Sequence, residues 1–340
     1  MTDMAEMEQE RDALDLLLRG FQISRMLRLV ADLSIADKIA PDARLSVQEL
    51  ATACAVLPDP LLRVLRALAA FGVFHVAPDG TIAHTPRSRL LRTDTPNSLH
   101  HSARFWTGPG SWNAWGKLDA AMTGQVPHEA AWNQDRFAYL RAHPDEARAF
   151  DAMMANFPDN RHAAIATGYD FSTARLIADI GGGNGEALRR ILARFPQPGG
   201  LVYDRADVVG AIPPDALMQG RITTEGGSFF ERVPSGADIY MLIRVLHDWP
   251  DEDCLRILRA CRAAMGADAL LLLGEQILEP DPTRGQPMGY LIDIQMMAMF
   301  GHAHQRTEAE FRGLFAASGF TLRRVIATAS PVSIVEAAPI

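Results

Sequence analysis

A glycine-rich turn is the clearest candidate binding site in this sequence. The segment Asp179-Ile180-Gly181-Gly182-Gly183-Asn184-Gly185 stands between an apolar stretch and a helical one. Glycines at such a turn let a ligand approach the backbone closely. The spacing matches neither the G-x-G-x-x-G pattern of dinucleotide sites nor the G-K-[ST] ending of phosphate loops. The turn therefore indicates a ligand that is bound without phosphate recognition.

Asp204 ends the next predicted strand, 25 residues after Asp179. A carboxylate at this place can accept hydrogen bonds from both ribose hydroxyls of an adenosine. Together with the glycine turn, it predicts a nucleoside-type ligand. The alternative is an ordinary glycine-rich turn in which Asp204 is a solvated loop acid.

A second group of reactive side chains lies farther along the chain. His247 and Asp248 come directly after a predicted strand, and His302 and His304 follow a predicted helix. An imidazole can serve as a general base, whereas His247 could instead cap the helix that follows it. The histidines and Asp248 could also ligate a metal ion. Three interpretations stay open at this point: a base, a helix cap and a metal site.

These residues are predicted to lie in an α/β domain that spans residues 171–340. Strand segments are expected at 174–180, 201–203, 221–224, 239–245, 269–273, 321–328 and 330–336. Strands that alternate with helices are typical of a Rossmann-like, doubly wound sheet, here with seven mostly parallel strands. Such sheets bind ligands at the carboxyl ends of their strands. The glycine turn, Asp204 and His247 all fall at such ends.

Residues 1–100 are predicted to form a mainly α-helical winged-helix domain. An apolar stripe indicates a helix over 13–30, Ser46 and Glu49 can form a capping box, and a hairpin is expected around Pro78-Asp79-Gly80. This order of elements also occurs in DNA-binding proteins. However, the segment carries 11 Lys and Arg against 13 Asp and Glu, which is unsuited to phosphate contacts. We therefore expect this domain to form a homodimer.

Residues 101–170 are predicted to be a helical connector that contributes to the substrate pocket. Phe150, Met153, Met154 and Phe157 stand close together there. Thioethers and aromatic rings suit a flat apolar ligand, although ordinary helix packing explains them equally well. The methionine-rich segment 288–300, which includes Met296, has the same two interpretations.

Composition excludes several classes of protein. The 340 residues are 48% hydrophobic and 22% charged, which is typical of a globular protein. The net charge of −8 gives no overall electrostatic attraction to nucleic acid or anionic membranes. Three separated cysteines form neither a disulfide framework nor a paired metal motif. The start of the chain is unlike a signal peptide, and no apolar run could span a membrane. We expect a cytoplasmic protein without nucleic-acid or membrane partners.

The chain as a whole resembles the S-adenosylmethionine (SAM)-dependent O-methyltransferases of the caffeic-acid-type and bacterial antibiotic-tailoring family. The resemblance rests on FDAMM at 150–154, DIGGGNG at 179–185, VLHDWPDEDCLRIL at 245–258, LLLGEQILEP at 271–280 and QRTEAEFRGLFAASGF at 305–320. It implies a winged-helix dimerisation domain, a Rossmann-like catalytic domain and SAM as cofactor. The implied reaction is methyl transfer to a hydroxyl of a small, aromatic, secondary-metabolite-type acceptor.

The resemblance also implies roles for individual residues. The residues implied to bind the cofactor are Asp179, Gly181, Gly183, Gly185, Asp204, Ser228 and Phe229. Those implied to contact the acceptor are Phe150, Met154, Asp248, Trp249, Met296 and Gln305. His247 would be the general base, Glu275 would hold its tautomer, and no metal would be needed.

Two positions depart from the family pattern. Ser228 stands where an acidic residue usually contacts the adenine amine, and Gln305 stands where the family often has a second glutamate. An amide can orient an imidazole, but it cannot raise the pKa of that imidazole by charge. The resemblance thus implies weaker support for the base, without changing which residue it is.

Two other functions stay open. A subset of similar enzymes methylates the carbon of 2-oxo acids with a metal that stabilises an enolate, for which His247, Asp248 and His302 or His304 would be the ligands. A winged-helix domain could also belong to a ligand-sensing regulator without enzymatic activity. The combined SAM site and His247 favour the O-methyltransferase.

Overall fold

A computed structural model describes residues 2–156 and 160–340, and the chain divides into two compact units, Met1–Pro158 and Asp159–Ile340. Phe157, one of the predicted pocket residues, lies outside the described residues. Within 2–156 and 160–340, no helix combines the length and the apolar character needed to cross a membrane.

The first unit is mainly helical and contains one small sheet. Its elements are α1 (Thr2–Leu18), α2 (Gly20–Asp32), α3 (Ile35–Lys38), β1 (Arg44–Ser46), α4 (Val47–Cys54), α5 (Pro58–Ala70), β2 (Phe74–Val76), β3 (Thr81–His84), α6 (Pro86–Arg89), α7 (His100–Trp106), α8 (Pro109–Trp115), α9 (Pro127–Trp132), α10 (Arg136–Ala142) and α11 (Pro144–Asn156). A 3-10 helix covers Leu118–Thr123.

Local signals in the sequence explain the middle of this unit. The hydroxyl of Ser46 accepts the N–H of Glu49, whose carboxylate accepts the N–H of Ser46, so the predicted capping box begins α4. The predicted hairpin forms between β2 and β3, and β1 joins it to give the strand order β1-β3-β2. Apolar side chains of α2–α5 and of this sheet, such as Leu50, Leu65 and Ile82, form one buried core.

Helix α1 differs from the rest of the described first unit because its side chains stay exposed. All its described side chains, from Met4 to Leu18, are exposed, and Leu14 and Leu17 are 59% and 76% exposed. The predicted single helix over 13–30 is interrupted at Arg19, between α1 and α2. Of these two helices, α2 is the one that buries apolar residues, Val30 and Ala31, in the core.

The second unit is an α/β domain. Its elements are α12 (Arg161–Gly168), β4 (Leu176–Ile180), α13 (Glu186–Arg194), β5 (Gly199–Asp204), α14 (Ala206–Gly210), β6 (Ile222–Gly226), β7 (Ile239–Ile243), α15 (Asp251–Ala264), β8 (Leu270–Glu275), β9 (Ile277–Leu278), α16 (Pro287–Phe300), β10 (Arg306–Thr307), α17 (Glu308–Ser318), β11 (Phe320–Ile326) and β12 (Ser333–Pro339). Two 3-10 helices, Pro214–Gly220 and Leu246–Asp248, complete it.

Seven strands form the predicted, mostly parallel Rossmann-like sheet, in the order β11-β12-β8-β7-β4-β5-β6. Strands β4 to β8 are parallel to one another, and β12 pairs antiparallel with both β8 and β11. Alternate residues face opposite helical layers: Ala178 packs with residues of α15 and α17, whereas Ile177 packs with residues of α12 and α13.

The strand order determines where a ligand can bind. β4 has its sequence neighbour β5 on one side and β7 on the other, so the chain crosses the sheet in opposite directions from this point. In doubly wound sheets the crevice at such a switch point, at the carboxyl ends of the strands, is the usual ligand site. The turns after β4, β5, β7 and β8 all lie at this edge.

Candidate active site

The turn after β4 adopts backbone conformations that suit glycine. Gly181, Gly183 and Gly185 have φ angles of +73°, +55° and +78°, which side chains disfavour. A Cβ added at Gly182 would lie 2.8 Å from the carboxyl carbon of Asp179, too close for any side chain. The glycines at alternate positions thus meet a requirement of the backbone, and a Cβ at Gly183 would point into open space.

Two carboxylates border this turn. At the end of β5, Asp204 accepts the N–H of Gly183 at 2.9 Å and that of Arg205 at 2.7 Å. Asp179, at the end of β4, is 2% exposed, and its Oδ1 has no hydrogen-bond partner among the described residues. Burial, together with the charge of Asp204, raises the pKa of Asp179 to about 7. The turn therefore holds a buried carboxyl that a ligand could satisfy.

Aromatic residues lie beside the glycine turn. Ser228 and Phe229 follow β6, and a Cβ added at Gly181 would lie 3.6 Å from the Phe229 ring and 2.9 Å from the Val245 side chain. Trp249 packs edge-on against Phe229 and Phe230, with ring centres 6.1 and 4.7 Å apart. The glycine turn, the loop after β6 and the turn after β7 are thus neighbours.

The turn after β7 carries His247 in an unusual backbone. Arg244 has a φ of +55°, in the left-handed region that non-glycine residues rarely adopt. The buried carboxylate of Glu275, at the end of β8, accepts the N–H groups of Val245 and Leu246 on the same oxygen, Oε1, at 3.0 Å each. Glu275 therefore holds the backbone of the turn as well as facing its histidine.

His247 and Glu275 form a close pair. Nδ1 of His247 lies 3.3 Å from Oε2 of Glu275, although the ring is not aligned for a good hydrogen bond. Catalytic hydrogen bonds are often long or poorly aligned without substrate. Burial opposes ionisation of Glu275, but its contacts with His247 and Arg244 hold the pKa of this carboxyl below its ordinary value. Glu275 is thus a charged acceptor beside the ring.

Asp248 lies on the other side of the imidazole. Its Oδ1 is 3.1 Å from Nε2 of His247, and 53% of its side chain is exposed. Surrounding protein atoms nevertheless raise the pKa of Asp248, as does the charge of Glu275. The imidazole therefore has a buried carboxylate at Nδ1 and a solvent-accessible one at Nε2.

Gln305 takes a different position from the one expected of an imidazole-orienting amide. Its Oε1 accepts a hydrogen bond from Nη1 of Arg244 at 3.0 Å, and the same Nη1 lies 3.4 Å from Oε2 of Glu275. The sequence reasoning missed Arg244, since no pattern in the sequence marked it. Arg244 is the same residue that has the positive φ.

The other predicted histidines are arranged differently from His247. The backbone N–H of His304 donates to the carbonyl of His247 at 3.0 Å, while its ring lies 3.9 Å from Asp251. Within 2–156 and 160–340, no three His, Cys, Asp or Glu residues form a group that could hold a metal ion.

The predicted apolar pocket residues lie on α11 and α16. In the first unit, Phe150 packs on Phe105 with ring centres 5.1 Å apart, Met153 is buried and Met154 is 49% exposed. In the second unit, Met296 is partly buried on α16. Their contact with an acceptor stays a prediction.

A Rossmann-like sheet that carries a glycine turn without a phosphate pattern, followed by an acidic residue on the next strand, is typical of domains that bind a nucleoside-type ligand. Residues 115–321 match the family model of the O-methyltransferase domain, and residues 16–94 match the O-methyltransferase dimerisation domain. The chain belongs to this O-methyltransferase family, and its methyl donor is SAM.

Individual relatives match along nearly the whole chain. Phenazine O-methyltransferase PhzM of Lysobacter antibioticus is 38% identical over 329 residues, which are 95% of each chain. Phenazine-1-carboxylate N-methyltransferase of Pseudomonas aeruginosa is 31% identical over 307 residues, 89% of this chain and 90% of that one. The structure of CalO1, a methyltransferase in calicheamicin biosynthesis, has S-adenosylhomocysteine (SAH) bound; its TM-score is 0.83 at 30% identity, with 98% of both chains covered.

The residues at the glycine turn fit SAM chemically. SAM carries an ammonium group and a sulfonium centre, which suit the unpartnered carboxyl oxygen of Asp179. Its ribose hydroxyls suit Asp204, and it has no phosphate that would need cations. The open space at Gly183 leaves room for a ligand to approach the backbone.

Asp204→Ala should weaken SAM and SAH binding by about 100-fold or more, since two hydrogen bonds to a charged acceptor are worth roughly 1.5–3 kcal/mol each. Isothermal calorimetry measures this. The control is Asp207→Ala, which removes an exposed acid in the first turn of α14 that pairs with Arg205 and should leave the affinity unchanged. SAM affinity that is indifferent to Asp204→Ala, or tight NAD binding, would refute this role of the turn.

Asp179 should make stability and SAM binding depend on pH. The pKa of Asp179 is raised to about 7 in the folded protein, so folding favours the protonated carboxyl. The stabilisation that this carboxyl gives the fold is complete below the ordinary Asp pKa of about 4 and is lost as the pH rises through 7. Without ligand, the free energy of unfolding of wild type should therefore fall relative to Asp179→Asn between pH 4 and 7. Saturating SAM, a cation beside this carboxyl, should reverse that trend. Parallel urea-unfolding profiles of the two proteins would contradict the assignment.

Proposed function

We propose that the chain transfers a methyl group from SAM to a hydroxyl oxygen of a small aromatic acceptor, with His247 as the general base. The observation that carries this proposal is the 3.3 Å pair of His247 with the buried Glu275, next to the glycine turn. The two relatives described above are named for methylation of phenazines, one at oxygen and one at nitrogen. An aromatic ring nitrogen has no proton to lose, so a histidine held by a carboxylate favours an O–H acceptor.

Glu275 selects the useful tautomer of His247. Both ring nitrogens face a carboxyl oxygen, and an ionised carboxylate can only accept a hydrogen bond. The pKa of Glu275 is held below its ordinary value whereas that of Asp248 is raised, so Glu275 is the more firmly ionised partner and the nitrogen that faces it, Nδ1, is proposed to carry the proton. Nε2 then keeps its lone pair and faces the solvent-accessible side, where Asp248 lies. This is the nitrogen that would receive a proton from the acceptor.

The proton and the methyl group are proposed to move together. SAM supplies an electrophilic methyl group. An ordinary phenol has a pKa near 10 and an ordinary imidazole a pKa near 6.5, so full proton transfer beforehand would be uphill by about 4.8 kcal/mol. Proton transfer to Nε2 during methyl transfer avoids that intermediate. Holding the acceptor in line contributes the larger share, since good alignment can supply about 7–11 kcal/mol.

Asp248 supports a narrower class of acceptor. Its half-exposed carboxylate is 3.1 Å from Nε2 of His247. When the hydroxyl of an aromatic acceptor reaches this Nε2, the substituent on the neighbouring carbon of the acceptor ring lies close to Asp248. We propose acceptors with a second hydrogen-bond donor, a hydroxyl or an amine, next to the methylated hydroxyl. Ser228 and Phe229 are proposed to border the adenine side of the same site, and Trp249, which packs edge-on against Phe229, is proposed to contact the acceptor.

We also propose that the first unit dimerises as a winged-helix domain. The order α4, α5, β2, β3 with β1 added supports this arrangement, as does the match of residues 16–94 to the dimerisation domain. The uncovered side chains of α1 are proposed to pack on the second copy. Together the two copies would have twice the chain mass of 37.2 kDa.

His247→Ala should lower kcat by about 10²–10⁴-fold, the usual worth of a general base, with little change in SAH affinity. Glu275→Gln should be nearly as damaging: if the amide oxygen keeps the two backbone N–H groups, the amide NH₂ faces Nδ1 and stabilises the wrong tautomer. Steady-state kinetics with one accepted phenol and SAH calorimetry measure both effects.

Asp248→Asn is the matched control for this pair. It should change kcat only modestly while raising KM for acceptors that carry the second donor, and not for those that lack it. A His247→Ala enzyme that keeps most of its rate near pH 7 would remove His247 as the base. Full activity on an aromatic nitrogen that carries no proton would place this chain with the N-methyltransferases.

Leu14→Ser with Leu17→Ser should convert the dimer to a monomer, because both side chains are exposed in the single chain and apolar interface area stabilises association. Light scattering at micromolar concentration measures the mass. Met288→Ser with Leu291→Ser is the control: these side chains of α16 are 63% and 56% exposed and should not affect the mass. A monomeric wild type with full activity would refute the proposed assembly.

A further inference from the structure

We infer that Arg306 is a positioning residue for the reaction, because its side chain holds the backbone turn that carries His247. This inference rests on the proposed role of His247. Arg306 follows Gln305 in the motif QRTEAEF, and it lies in β10, the short strand that pairs with β9. It is 1% exposed, and it is the largest side chain among the fully buried residues of the described ranges.

The guanidinium group of Arg306 contacts the carbonyls on both sides of His247. Nη1 donates to the carbonyl of Leu246 and Nη2 to the carbonyl of Trp249, at 2.8 Å each. Nε and Nη2 also donate to Oδ1 of Asp251, at 3.0 and 2.8 Å. The contacts thus bracket His247 and Asp248 from the residue before them to the residue after them.

Arg306 and Glu275 hold complementary groups of the same turn. Glu275 accepts the N–H groups of Val245 and Leu246, whereas Arg306 donates to carbonyls of the turn. These contacts hold the backbone on both sides of His247. They therefore limit the directions in which its imidazole can point. A displacement of about 1 Å at a reacting group can cost 10²-fold in rate, which gives these backbone contacts a kinetic consequence.

Only arginine can make this set of contacts. Its planar fork presents several N–H donors in fixed directions, whereas the ammonium of lysine is a single point with three donors. Lysine could neutralise Asp251, but it could not span the carbonyls of Leu246 and Trp249 at the same time. Arg306→Lys therefore keeps the charge and loosens the turn.

The molecule contains a matched arginine that has no connection to the chemistry. Arg221 donates to the carbonyls of Leu192, Phe195 and Pro198 at 3.0–3.1 Å. It precedes β6, at the amino end of the strands, opposite to the edge with His247. Arg221→Lys should therefore loosen a comparable set of contacts to carbonyls without moving the turn that carries His247.

The experiment compares Arg306→Lys with Arg221→Lys. We expect kcat of Arg306→Lys to fall by about 10–100-fold, with SAH affinity within about twofold of wild type, while Arg221→Lys keeps its kcat. Both variants should lose some thermal stability. Equal loss of kcat in the two variants, or an unchanged kcat in Arg306→Lys, would overturn the inference.

A double variant tests whether Arg306 acts through His247. If it does, Arg306→Lys should cost less than about twofold in kcat when His247 is already alanine, because coupled residues are non-additive. An undiminished cost in that background would overturn the inference while leaving the base itself intact. A His247→Ala enzyme with full activity would instead refute the proposed function.

A second pair of variants covers the case in which Arg306→Lys does not fold. Asp251→Asn weakens the anchor of the guanidinium and should lower kcat several-fold. Asp253→Asn is its control, since Asp253 lies in the same first turn of α15 but pairs with Arg256. If both variants have the same kcat, the anchor has no role in catalysis and the inference is wrong.

Discussion

The arrangement of the site depends on one buried carboxylate. Glu275 is 1% exposed, and a buried charge costs several kcal/mol unless it is well compensated. Two backbone amides, an imidazole and a guanidinium compensate it here. Because all four come from residues 244–247, satisfying this single charge also fixes the strained turn and the direction of His247. Arg244 can keep a φ whose cost is of order 1–3 kcal/mol because the carboxylate determines the conformation around it.

The sheet makes that contact possible. Strands β7 and β8 are parallel and adjacent, with Ile243 opposite Gly274, so the turn after β7 and the end of β8 meet without a long connection. The same edge carries Asp179 and Asp204 at the ends of β4 and β5, which lie on the other side of the switch point. The proposed donor site and the proposed base therefore lie on turns at the same edge, held by strands whose side chains are buried on both faces.

Much of this could be predicted from sequence because it depends on local patterns. The apolar strand runs, the capping box at Ser46 and the alternating glycines each carry their own signature, and the sheet and the conformation of the glycine turn are confirmed. Arg244, Arg306 and the two-residue pairing of β9 with β10 could not be predicted, since they arise from contacts between segments some 30 to 60 residues apart. Arg306 and Glu275 contact backbone carbonyls and amides, which have no residue type to recognise. The break at Arg19 was missed for a related reason: the apolar stripe over 13–30 continues through it.

The tautomer of His247 tests the central claim most directly. Nitrogen-15 NMR of histidine-labelled enzyme in its SAH complex, assigned by comparison with His247→Ala, distinguishes a protonated Nδ1 from a protonated Nε2. If the Glu275 carboxylate governs the site, the neutral ring carries its proton on Nδ1, and Glu275→Gln moves that proton to Nε2. A neutral wild-type ring protonated on Nε2 would contradict the account, because that nitrogen could not then accept a proton from the acceptor.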